Sequence, residues 1–200
     1  MLKIERLDLD DLISNIVEDY RNQIEKNNDN VELLYYNSNS ITDEREKNND
    51  SKIIVVQADR ARLIQVISNL LDNAIKFTKK RDDNNKAGSI YVTAEKKTNR
   101  ENGSKKQQEV IVSIKDTGTG IDPAIFPRLF TKFATKSQTG GTGLGLFICK
   151  SIVEVHGGKI WAENNPDNKG GAVFAFSLPL SEDQQRQQLP QQYSSSAMTS

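Results

Sequence analysis

Residues 59–78, DRARLIQVISNLLDNAIKFT, decide the fold. Leu63, Val66, Ile67, Leu70, Leu71, Ala74 and Ile75 fall on one broad arc at 3.6-residue spacing, and Asp59 stands where an N-cap belongs. A helix with so wide an apolar stripe must lie on an apolar layer. Residues on either side supply that layer. Strand-like VELLYY (31–36) and IIVVQ (53–57) precede the helix, and strands at 89–95 and 109–115 follow it. Two further helices are predicted. One spans 11–26, with Leu12, Ile13, Ile16, Val17, Tyr20 and Ile24; the other spans 144–156, with Leu144, Phe147, Ile148, Ile152 and Val155, and stops at Gly157 and Gly158. KIWAEN (159–164) and AVFAFSLPL (172–180), joined through NPDNKGG, read as a closing hairpin. The sum is an α+β protein, a two-layer α/β sandwich in which about three helices cover one face of a mixed sheet.

Composition narrows the class. The 200 residues, 36% hydrophobic, suit one domain with its own core, placed here at 1–180. Lys plus Arg and Asp plus Glu balance at 27 each, so charge points to neither nucleic acid nor an anionic membrane. Cys149 has no second cysteine to pair with, and no apolar run approaches the roughly 20 residues of a membrane span. The start, MLKIERLDLDDL, lacks an apolar signal stretch. The expectation is a cytoplasmic, monomeric domain without direct membrane contact. Stretches 37–51, 79–88 and 97–108 are poor in large apolar residues and read as polar loops; 181–200, rich in Gln and Ser, reads as a disordered tail.

Three segments carry chemistry. Opposite the apolar arc of 59–78, Asn69, Asn73 and Lys76 project together at i, i+4 and i+7. A solvated helix face would explain them, but asparagine is a mediocre helix former; an amide oxygen suits Mg²⁺, and a lysine one turn on suits a phosphate. At the end of strand 109–115 stands DTGTGI (116–121). Asp116 could accept from an exocyclic amine such as adenine N6, or the segment could be an ordinary Asx turn. GGTGLGL (140–146) opens a helix, whose free N–H groups attract anions. It is neither a GxxxxGK[ST] loop nor a strand-linked Rossmann turn.

In order and spacing, NLLDNAIKFT, DTGTGI, FPRLFTKF and GTGLGL resemble the asparagine, first glycine, phenylalanine and second glycine boxes of two-component histidine protein kinases. DRARLIQVISNLL before them and ICKSIVEVHGGKIWAEN after them agree, so the resemblance covers about residues 5–180. It implies the Bergerat fold, with a mostly antiparallel mixed sheet, and an ATP-binding catalytic domain using Mg²⁺. By that resemblance Asn73 is the Mg²⁺ ligand with Asn69 beside it, Lys76 meets phosphate, and Phe77 lies near the nucleotide. Asp116 reads adenine, with Gly118, Gly120 and Ile121 shaping its pocket. Residues 126–143 form a lid, with Phe130 and Phe133 as apolar anchors and Lys132 or Lys136 on phosphate. Gly141, Thr142, Gly143, Leu144 and Gly145 clasp the triphosphate.

The phosphate acceptor of such kinases is a histidine on a helical dimerisation hairpin, and a response-regulator receiver domain takes the phosphate onward. The only histidine here is His156, which reads as a helix C-terminal residue favoured by the dipole. The acceptor domain is therefore expected on a separate segment. Gyrase-type, heat-shock-90-type and mismatch-repair ATPases resemble this family but carry a basic glutamate where Asn69 stands, which disfavours a dedicated ATPase. Related serine kinases and a non-catalytic nucleotide sensor are the remaining alternatives.

Overall fold

The computed structural model describes residues 1–36, 53–79, 87–99, 107–134, 142–165 and 170–180. The 37–51 and 181–200 stretches lie outside the described residues. The chain runs β1 (Glu5–Asp8), α1 (Leu9–Lys26), β2 (Val31–Tyr36), β3 (Val55–Ala58), α2 (Arg60–Lys79), β4 (Gly88–Asn99), β5 (Gln107–Asp116), a short 3₁₀ turn (Phe126–Arg128), α3 (Gly145–Val155), β6 (Ile160–Asn164) and β7 (Ala172–Pro179). Five strands form one sheet in the order β2-β4-β5-β7-β6. Only the β2–β4 pair is parallel; the other neighbours are antiparallel, and β6–β7 is the expected hairpin.

Alternation along the strands places the core. Ile90, Val92 and Ala94 of β4, Val110, Val112 and Ile114 of β5, and Phe174, Phe176 and Leu178 of β7 are all buried. They meet Leu63, Val66, Ile67, Leu70 and Leu71 of α2, each fully buried. Burying a side chain of this size contributes about 2 kcal/mol, so the stripe dictates which face of α2 turns inward and leaves the opposite arc for other use.

Two readings need correction. Residues 53–57 were expected in the main sheet, but β3 pairs antiparallel with β1 in a separate two-stranded ladder, which an isolated bridge from Val56 to Leu180 links to β7. The alternation of MLKIERLD is too short to announce β1, and its partner lies about fifty residues away. The 97–108 stretch is also partly strand, because Lys97 pairs with Glu109 and Thr98 with Gln108. Backbone bonding, not apolar burial, extends that ladder.

The starts of α1 and α2 are capped by aspartates. Asp8 accepts from the Asp11 N–H at 3.2 Å, and Asp59 from the Arg62 N–H at 3.2 Å. Asp59 is also a junction. Its other oxygen accepts from the Lys3 N–H (2.9 Å), and its own N–H donates to His156 Nε2 (3.0 Å). The opposite nitrogen, Nδ1, lies 2.7 Å from the Ile152 carbonyl. A carbonyl can only accept and an amide N–H only donate, so the proton sits on Nδ1 and Nε2 is bare. His156, buried at the C-cap of α3, thus ties α3 to the start of α2.

Candidate nucleotide-binding site

The uncovered arc of α2 faces a cavity of about 680 Å³ lying between α2, the end of β5, the start of β7 and the first turn of α3. That volume suits a small-molecule ligand. Asn73, Lys76 and Phe77 line it, as the i, i+4, i+7 spacing predicts for the last two positions of the stripe. Asn69, one turn earlier, sits under α3: its Oδ1 is 3.6 Å from where a Cβ on Gly145 would stand, and beside it the Cys149 thiol donates to the Val66 carbonyl at 3.8 Å. Burial pushes that thiol up to about 11, against the lowering effect of Asn69, so Cys149 stays protonated at neutral pH.

Asp116 ends β5 with 2% of its surface exposed, on the cavity wall across from α2. Its Oδ1 accepts from the Gly118 N–H (2.8 Å) and the Ala172 N–H (3.2 Å). Burial pushes the carboxyl above the usual carboxylate range, and the two N–H bonds pull it back. Behind it, Gly171 at φ +90° runs so close that an added Cβ would come within 2.1 Å of the Asp116 carbonyl oxygen. Only glycine satisfies both the dihedral and the approach. Thr119, Gly120 and Ile121 continue the wall from DTGTGI, and Pro123, Ile125, Leu129, Leu146 and Phe174 make it largely apolar.

The opposite end opens at α3. Thr142, Gly143 and Gly145 line the cavity, and Leu144 precedes α3 without a side-chain cap, so the first turn of α3 borders the cavity. Of the residues read as lid, Phe130 packs against the core, and the Lys132 ammonium lies 5.0 Å over the Phe147 ring. Neither lines the cavity. Phe133, expected as a second apolar anchor, is 69% exposed at φ +63°; its backbone N–H, donated to the Gly143 carbonyl at 3.0 Å, holds it in place. Lys136 and Gly141 lie outside the described residues.

Residue-type reasoning missed two neighbours of the site. Asn164 bonds the backbone of Ile121, and Asn165 donates to the Asp116 carbonyl at 3.0 Å. The run ENNPDN after a strand signals a turn, and nothing in it announces that its amides reach across the sheet.

The arrangement is an apolar slot with a buried acceptor at one end and a cation, an amide and helix N–H groups at the other. It matches known proteins. A family model described as histidine kinase-, DNA gyrase B- and HSP90-like ATPase covers residues 58–182. The phytochrome-like protein Cph1 of Synechocystis is 38% identical over 128 residues, 62% of this chain and 15% of that protein. The adaptive-response sensory kinase SasA of Prochlorococcus marinus is 36% identical over 129 residues, 62% of this chain and 30% of that protein. The chain thus spans well under half the length of these curated relatives. Among solved structures, the catalytic domain of histidine kinase ThkA superposes with a TM-score of 0.64 at 31% identity, over 89% of this chain and 96% of that one.

Proposed function

The chain belongs to the histidine kinase-, DNA gyrase B- and HSP90-like ATPases, as an ATP-binding domain of the histidine kinase branch, and we propose that it phosphorylates a histidine presented by a separate domain. The observation that carries this reading is the pairing of buried Asp116 with Asn73 and Lys76 across one cavity. Asp116 accepts from adenine N6. A guanine oxygen at that place would face the carboxylate acceptor to acceptor. The Asn73 amide oxygen would hold Mg²⁺ beside the triphosphate, and one protein ligand suffices where phosphates supply others. Lys76 and the N–H groups of α3 bear on the phosphates. Asn69 supports the first turn of α3 and, being an amide, offers water no base.

In the transfer the bond from the γ-phosphorus to its bridging oxygen breaks, a bond to the acceptor imidazole nitrogen forms, and ADP leaves. The domain's part is positioning and charge stabilisation. His156 is no acceptor, since both its nitrogens are engaged in a buried site. The acceptor is a dimerisation and phosphoacceptor domain, and a response regulator receives the phosphate; ThkA has been crystallised with the response regulator TrrA. Among the described residues no helix is long and apolar enough to cross a membrane.

Calorimetry should show MgATP binding far more tightly than MgGTP. Incubated alone with MgATP the chain should neither label itself nor turn ATP over quickly; adding the acceptor domain should yield acid-labile, base-stable phosphate on that domain. Equal affinity for GTP, or stable phosphohistidine on His156, would overturn the reading.

A further inference from the structure

The β6–β7 hairpin contributes none of the four boxes noted in the sequence, yet its turn end grips the Asp116 end of the cavity. The Asn164 side chain accepts from the Ile121 N–H through Oδ1 (2.6 Å) and donates through Nδ2 to the Ile121 carbonyl (3.0 Å). One amide thus satisfies both backbone groups of one residue, as a neighbouring strand would. Asn165 donates to the Asp116 carbonyl, and the Ala172 N–H reaches Asp116 Oδ1. Ile121 and Asp116 are therefore held by the same hairpin.

The surrounding geometry fits that role. Beyond Ile121 the turn fixes its own shape, with the Ala124 N–H on Asp122 Oδ1 (2.8 Å) and the Ile125 N–H on the Asp122 carbonyl (2.9 Å). Asn164 anchors this preformed turn to the sheet. Gly120, at φ +76°, leaves room for the anchor: an added Cβ would come 3.0 Å from Asn164 Oδ1. The second glycine of DTGTGI serves the bracket as well as the pocket.

We infer that Asn164 is a positioning residue that sets the distance between the Ile121 wall and Asp116, and so the width of the slot that receives the nucleobase. The inference rests on reading the cavity as a nucleotide site. Its effect belongs to the base end alone, so it should act equally on nucleotides that differ in phosphate number.

The test is calorimetry with ADP and ATP on the full chain, together with amide hydrogen exchange. Asn164→Ala removes two hydrogen bonds and should weaken ADP and ATP alike by about tenfold. The Ile121 amide should exchange faster while the Gly118 amide, held by Asp116, keeps its rate. Asn164→Asp retains an acceptor for the Ile121 N–H but turns a carboxylate oxygen toward the Ile121 carbonyl, and should fall between the two proteins. Unchanged affinity in either variant, a loss confined to ATP, or joint loss of protection at Ile121 and Gly118 overturns the inference. Asp116→Ala separates the two levels of the argument. If it abolishes ATP binding while Asn164→Ala does not, the positioning role falls and the nucleotide site stands; if it too leaves ATP binding intact, both fall.

Discussion

The two ends of the cavity are built differently. At the β5 end, Asp116 is almost wholly buried, and its carboxylate, its carbonyl and its neighbour Ile121 are each bonded to the β6–β7 hairpin. At the α2–α3 end, Asn73 and Lys76 project half-buried from α2, and Thr142 stands exposed before α3. One end is part of the fold's hydrogen-bonded frame, while the other is an arc of side chains that folding leaves over once the apolar stripe of α2 is buried. Changes at the first should therefore disturb folding and binding together, and changes at the second should disturb binding alone.

The largest effect is expected at Gly171, where alanine must clash with the Asp116 carbonyl and adopt φ +90°. Gly171→Ala should cost about 3 kcal/mol or more, a fall of roughly 10 °C in Tm, and should lower nucleotide affinity in the fraction that folds. Thermal melts with and without ATP check both. Next, Asp116→Asn should weaken ATP by on the order of 100-fold, because an NH₂ group now competes for the place of the acceptor, and should narrow the preference over GTP.

His156→Ala offers a contrast remote from both ends. It removes the bonds to Asp59 and Ile152 and should cost about 2 kcal/mol in urea unfolding, with ATP affinity unchanged. At the α2–α3 end Asn73→Ala should leave Tm within about 2 °C and reduce the Mg²⁺-dependent part of ATP binding by about tenfold, with ADP less affected. A large loss of stability in that variant would erase the distinction drawn between the two ends.

The smallest effect concerns pH. The Lys3 and Arg62 N–H groups hold the Asp59 carboxyl below the usual carboxylate range. The stabilisation is complete above the unfolded value, near 4, and is lost as pH falls through the lower folded value. Asp59→Asn should therefore reduce stability at neutral pH and make a smaller difference in strong acid, as paired urea titrations would show.

How much could be read beforehand follows the same division. The arc of α2, the alternation of β4, β5 and β7 and the glycine-terminated α3 are periodic patterns, and periodicity survives in a one-dimensional string. Asn73 and Asp116 were legible because each breaks a local expectation, an amide inside a helix or a carboxylate at a strand's end, and Lys76 because it shares the face of Asn73 one turn on. Asn164 and Asn165 break none, since asparagine before a turn is ordinary and their partners are some fifty positions away. β1 was hidden for the same reason: four residues carry too little alternation, and its ladder with β3 is a long-range fact. The family resemblance implied Phe133 as an apolar anchor, yet its backbone makes the contact.

The sheet order has a consequence for the time course of folding. β4–β5 and β6–β7 join segments close in the chain, whereas Val31 in β2 pairs in parallel with Gly88, across α2 and everything between. Closing that pair requires an ordering entropy that no local contact repays, so the β4–β5 and β6–β7 hairpins can zip before β2 docks on the sheet edge. Joining β5 to β7 is equally long-range, Lys115 with Val173, so the frame that holds Asp116 closes when the two hairpins dock and not within either of them. Folding rate should accordingly respond to core truncations in β5 and β7, and unfolding rate to those in α1 and β2.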